Sequence, residues 1–147
     1  MGKICIGIDP DLIKSGVATW NGKEFIQLGI MRFFELIDYL EFKKMEALME
    51  GNEPDVKIYI EGGWLNVKSN FHKAQGASVR EVIAKRVGEN HAVGKLLVEY
   101  CELEMIPHHV IRPTQKKWDA DVFKKITGVQ SRTNPEIRDA ARLVFGL

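Results

Sequence analysis

Three carboxylates, Asp9, Glu61 and Asp139, stand where secondary structure should end or begin, which is where open α/β sheets gather ligands. Asp9 closes the apolar run that starts at Lys3, and Glu61 closes the β-rich run Val56–Ile60. Asp139 follows the helix-starting pair Asn134-Pro135. Acids brought together repel one another unless a cation neutralises them, and hard divalent ions prefer oxygen ligands. A set of acids without Cys or His therefore points to Mg2+, with Mn2+ as its substitute. Two such ions about 3.5 to 4 Å apart activate a water and stabilise the leaving oxygen of a phosphodiester. Glu136, three residues before Asp139 and on the same helical side, is the fourth candidate ligand.

The elements that must position these groups can be read from periodicity. Lys3–Asp9 alternates Ile4, Ile6 and Ile8 with small Cys5 and Gly7, the pattern of a buried strand. Ser15–Trp20 and Phe25–Met31 follow as strands joined at Asn21-Gly22, a hairpin signal. Apolar residues at helical spacing predict a helix over Phe33–Met49, then the strand Val56–Ile60 and a polar irregular stretch, Trp64–Ala77. A long helix is expected over Val79–Cys101, with a break or kink at Gly88. His108–Ile111 reads as a strand, Pro113 as the first turn of a helix reaching about Ile126, and Asn134 as the cap of a last helix running to Phe145. The order implies one α/β domain spanning residues 1–147, a three-layer sandwich with a mixed five-stranded sheet whose first three strands are antiparallel.

Bulk properties exclude more than they assign. The chain of 147 residues carries 45% hydrophobic and 28% charged residues and a net charge of +1, which fits a single soluble domain with its own core. Two cysteines, Cys5 and Cys101, suggest neither a disulfide framework nor a zinc cluster and fit a reducing cytoplasm. No apolar stretch is long enough for a signal peptide or a membrane span. Lys68, His72, Lys73, Arg80, Lys85 and Arg86 form a basic region interleaved with Trp64 and Phe71, which reads as a phosphate-tracking surface rather than a solvated helix face. Trp64 itself is read equally as packing or as a stacking platform. His108-His109 is expected to be structural, because neighbours on a strand point to opposite faces.

Ile6-Gly7-Ile8-Asp9-Pro10 followed by Ser15-Gly16-Val17-Ala18 resembles the opening motif of the RuvC Holliday-junction resolvases, of the ribonuclease H-like superfamily. Glu61 at a strand end, Glu136-Ile137-Arg138-Asp139-Ala140-Ala141 and Pro113-Thr114-Gln115-Lys116-Lys117 extend the likeness over most of the chain. The resemblance implies a homodimeric, two-metal endonuclease that nicks branched DNA such as a four-way junction, with Lys117 near the scissile phosphate and Trp64 stacking on a junction base. Asp11 departs from the family's usual Gly, and Glu136 from its usual Asp or His. Alternatives are a YqgF-type RNA-processing nuclease, a non-catalytic nucleic-acid-binding module of the same fold, and an actin-like phosphotransferase. Asp11 and the short chain argue against the last.

Overall fold

A computed structural model describes residues 2–50, 55–66 and 76–147. Strands β1 (Lys3–Asp9), β2 (Ser15–Trp20) and β3 (Phe25–Met31) form the antiparallel meander, and helix α1 (Phe33–Met49) crosses to β4 (Asp55–Glu61). A short 3-10 turn, Gly63–Leu65, precedes helix α2 (Ala77–Leu103), which leads to β5 (His108–Ile111), α3 (Ala120–Thr127) and α4 (Pro135–Val144). The sheet runs β3-β2-β1-β4-β5. β1 pairs antiparallel with β2 and parallel with β4, and β5 pairs parallel with β4. The mixed five-stranded sheet expected from the sequence is thus present.

Alternation along the central strands decides which helix covers which face. Ile6 and Ile8 of β1, Val17 of β2 and Ile58 and Ile60 of β4 pack against Leu36 and Leu40 of α1 and Val93, Leu97 and Cys101 of α2. Cys5, Ala18, Trp20 and Tyr59 turn to the opposite face, against Phe123 of α3 and Ala140, Ala141 and Val144 of α4. Helices therefore cover both faces, and α4 lies very close to the strands. A Cβ at Gly7 would run into the Ala140 carbonyl, and one at Gly16 into the Glu136 carbonyl.

Two boundaries differ from expectation. The helix expected from Pro113 begins at Ala120, where Asp119 caps it by accepting from the Val122 N–H at 2.8 Å. Upstream, the Thr114 hydroxyl accepts the Lys116 N–H at 3.2 Å, a local turn that competes with helix. Gly88 neither breaks nor ends α2, which runs unbroken for 27 residues. Among the described residues, nothing beyond the helix's own backbone lies within 4 Å of the position a Cβ would take at Gly88. Gly88→Ala should therefore stabilise the chain by roughly 0.5 to 1 kcal/mol through helix propensity alone. Chemical denaturation measures this, and a loss of stability would show that α2 needs flexibility there.

Candidate metal centre and nucleic-acid cleft

The same alternation aims the acids. Asp9 continues the odd-numbered face of β1, and Glu61 lies two residues past Tyr59, so both carboxylates are on the α4 side. The parallel register Ile8↔Ile60 sets the two strand exits side by side. α4 starts where Asn134 accepts the Ile137 N–H at 2.8 Å and Pro135 fills the first turn, which brings Asp139 over the strand ends. Carboxylate oxygens of Asp9, Glu61 and Asp139 lie within 4.8 Å of one another, and among the described residues no His or Cys belongs to such a group.

This convergence is electrostatically unfavourable without a cation. Burial, reinforced by the charges of Glu61 and Asp139, pushes the Asp9 carboxyl up to about 8. Burial also raises Glu61, although Lys117 partly offsets it. The Lys117 ammonium bridges Asp139 at 3.1 Å and Glu61 at 3.3 Å. Burial works against that charge, but the two carboxylates outweigh it and hold the amine above its ordinary range. Lys117 pairs directly with two of the three acids and Arg142 adds a weaker positive influence on Glu61, which leaves Asp9, among the described residues, without an ion pair of its own in a set that suits an added divalent cation.

Lys117 reaches the trio from a loop rather than a helix. Arg138 of α4 fastens that loop by donating from Nε to the Trp118 carbonyl at 3.0 Å, while its Nη1 holds Thr133. Glu136 stands outside the mutual 4.8 Å set, although its charge still raises Asp9. Trp64 is half-buried, its ring laid against Gly94 and edge-on to His91. It also lines a cleft of about 360 Å³ that contains Asp9, Glu61 and Lys117. Arg80 and Lys85 are exposed on α2, and the Arg80 Nε lies 3.4 Å from the Gly76 carbonyl of its own first turn. Lys68, Phe71 and Lys73 lie outside the described residues. His108 turns its Nδ1 to the Ile106 carbonyl at 2.9 Å, a structural use.

Asn90 and His91 of α2 also face this cleft, and sequence periodicity had no signal for either. Asp11 and Asn90 form a clamp. One Asp11 oxygen accepts the Ile13 and Lys14 N–H groups, and the other accepts from Asn90 at 3.3 Å, while Asn90 accepts the Leu12 N–H. The acid that departs from the resolvase pattern is therefore engaged in its own loop. Asp11→Asn should set donor against donor and Asn90→Asp acceptor against acceptor. Each is expected to cost about 1 kcal/mol, or roughly 2 to 4 °C in Tm. The double exchange recreates every bond and should recover most of the loss. A double variant as unstable as the two singles combined would remove the clamp.

No family model matches the chain, and no curated protein matches it. Among solved structures, RuvC of T. thermophilus in complex with a Holliday junction substrate superposes with a TM-score of 0.52 at 13% identity, over 96% of this chain and 89% of that one. A second Thermus thermophilus RuvC structure gives a TM-score of 0.50 at 14% identity, over 95% and 90%. The chain therefore has the fold of RuvC, the mixed α/β ribonuclease H-like sandwich that its sequence leads one to expect.

Proposed function

We propose that the protein is a divalent-metal-dependent endonuclease acting on branched DNA, with four-way junctions as its preferred substrate. The observation that carries this reading is the meeting of Asp9, Glu61 and Asp139, from three distant segments, within 4.8 Å. The RuvC structure with a Holliday junction shares the fold and supports the substrate class. An oxygen-only donor set fits Mg2+ or Mn2+, and the raised Asp9 carboxyl reflects burial first and then the repulsion of Glu61 and Asp139, which a cation would relieve. The trio, with Glu136 assisting, would hold two Mg2+ ions. When bound, these supply the charge that activates a water and stabilises the leaving oxygen. Asp9 and Glu61 would hold the site from adjacent strand ends, and Lys117 would offer its ammonium to phosphate oxygens. Trp64, with Arg80, Lys85 and the segment carrying Lys68, Phe71 and Lys73, would track the strand entering the cleft.

The homodimer implied by the resemblance is supported by apolar residues that α2 leaves exposed, Val79, Val82, Leu96 and Leu103. Buried, unpaired Cys5 and Cys101 fit a reducing cytoplasm, and no helix among the described residues is long and apolar enough to cross a membrane. The decisive experiment incubates the purified chain with labelled junction, flap, fork, duplex and RNA-containing substrates, with Mg2+ or EDTA. Metal-dependent nicking that favours the junction is expected. Preference for RNA would transfer the site to RNA processing, and no cleavage of any substrate with either Mg2+ or Mn2+ would leave a binding module.

A further inference from the structure

A second cavity, of about 340 Å³, opens on the α4 side of the acid trio. Its walls include Tyr59, Ile111, Arg112, Asp139, Arg142 and Leu143. It shares Pro113, Thr114 and Lys117 with the cleft that holds Trp64, so these three residues form a ridge between two hollows. Both hollows border the trio. Lys117, Arg112 and Arg142 outnumber the single acid in the second one, and that acid, Asp139, is already paired with Lys117. The remaining wall is largely apolar. An anion joined to a flat or apolar ring matches this lining.

Arg142 stands one helical turn beyond Asp139, on the same side of α4. Its guanidinium lies over the Trp118 ring, 5.7 Å from the centroid. There its Nη1 is buried with no hydrogen-bond partner among the described residues. Native structures rarely leave a buried donor without an acceptor, and a guanidinium fork is shaped for phosphate oxygens. Turning the fork from Trp118 toward the cavity would give that nitrogen an anion.

We propose that this cavity is a nucleotide subsite. Arg142 and Arg112 take a phosphate neighbouring the scissile one, and Tyr59, Ile111 and Leu143 take the attached sugar or base. The strand then passes from the Trp64 hollow, across the trio beneath Lys117, into the α4 hollow. This deepens the nuclease reading and rests on it for the identity of the ligand.

The test is an NMR titration of the full chain with the dinucleotide pTpT, with inorganic phosphate and with thymidine, all without divalent ions so that binding is read apart from cleavage. pTpT should perturb Tyr59, Ile111, Leu143 and Arg142 and bind more tightly than either fragment. Arg142→Met, which keeps a long side chain against Trp118, should weaken pTpT binding about tenfold, and Arg142→Lys should recover part of it. Perturbations confined to Trp64, Asn90 and His91, or Arg142→Met binding as the native chain does, would overturn the subsite. Native chain that binds pTpT here yet cuts no substrate overturns the nuclease reading alone. Normal cutting beside unchanged pTpT affinity in Arg142→Met overturns the subsite alone.

Discussion

Asp9→Asn is expected to remove cleavage and, in metal-free buffer, to make the protein more stable. The first effect follows from losing the carboxylate that completes the trio, and a fall in rate of at least about 10³-fold is expected for a group on which charge neutralisation at the phosphate depends. The second follows from burial and from the repulsion of Glu61 and Asp139, which together push the Asp9 carboxyl up to about 8 from an ordinary 3.8. A neutral amide of the same shape carries no such penalty. Allowing for relaxation, about 2 kcal/mol should be regained at pH 7.5, or roughly 4 to 8 °C in Tm. Junction binding should persist, because Arg80, Lys85 and Arg142, proposed to hold the phosphates beside the scissile one, are unchanged. A variant that still cuts, or whose metal-free Tm does not rise, would break the link between the trio and metal.

The sign of the pH dependence follows from the same shift. A carboxyl raised in the folded state holds its proton better there than in the unfolded chain. Its stabilising contribution is therefore complete below about 4 and is lost as pH rises toward about 8. Metal-free native protein should lose Tm relative to Asp9→Asn across that window. Metal binding at Asp9 must release the proton, so the Tm gain produced by Mg2+ should grow with pH and level off above about 8. Equal Mg2+ gains at pH 5.5 and pH 8.5 would contradict the assignment.

Much of this site was legible because its acids sit on regular elements. A period of two places Asp9 on the face of Cys5 and Gly7, and the strand exit before Gly62-Gly63 sets Glu61 at the neighbouring strand end. Asn134-Pro135 marks the start of α4 and so the turn on which Asp139 stands. What local pattern could not supply was the role of residues whose partners are remote. Asn90 is one polar residue on a long helix until the loop of Asp11, 79 positions away, is folded against it. Arg142 follows Asp139 at helical spacing, a signal within reach, yet its meaning depends on Trp118 and on a cavity made by β5 and α4. Pro113 misled because Pro also suits loops, and the capping bond of Asp119 decides where α3 begins.

The glycines of the first hairpin should be as critical to the site as the acids, although neither touches a ligand. α4 rests on β1 and β2 with the Ala140 carbonyl over Gly7 and the Glu136 carbonyl over Gly16, so an added methyl at either meets helix backbone that no rotamer change can move. Gly16→Ala is expected to cost about 1 to 3 kcal/mol, the usual range for overpacking, and to lower Tm by roughly 2 to 12 °C. Because Glu136 and Asp139 share α4, relief of the clash must lift the first turns of that helix from the strand ends. Cleavage and the Mg2+-induced Tm gain should then fall together, in the fraction that remains folded, by tenfold or more, since small misplacements of reacting groups are worth about 10²-fold. Gly7→Ala acts a turn further along and should destabilise at least as much. Gly88→Ala, with open space around it, supplies the contrast. If Gly16→Ala keeps native Mg2+ affinity and cleavage while losing stability, the close seat of α4 serves only the core. Parallel loss shows that the glycines set the distance between Asp139 and Asp9.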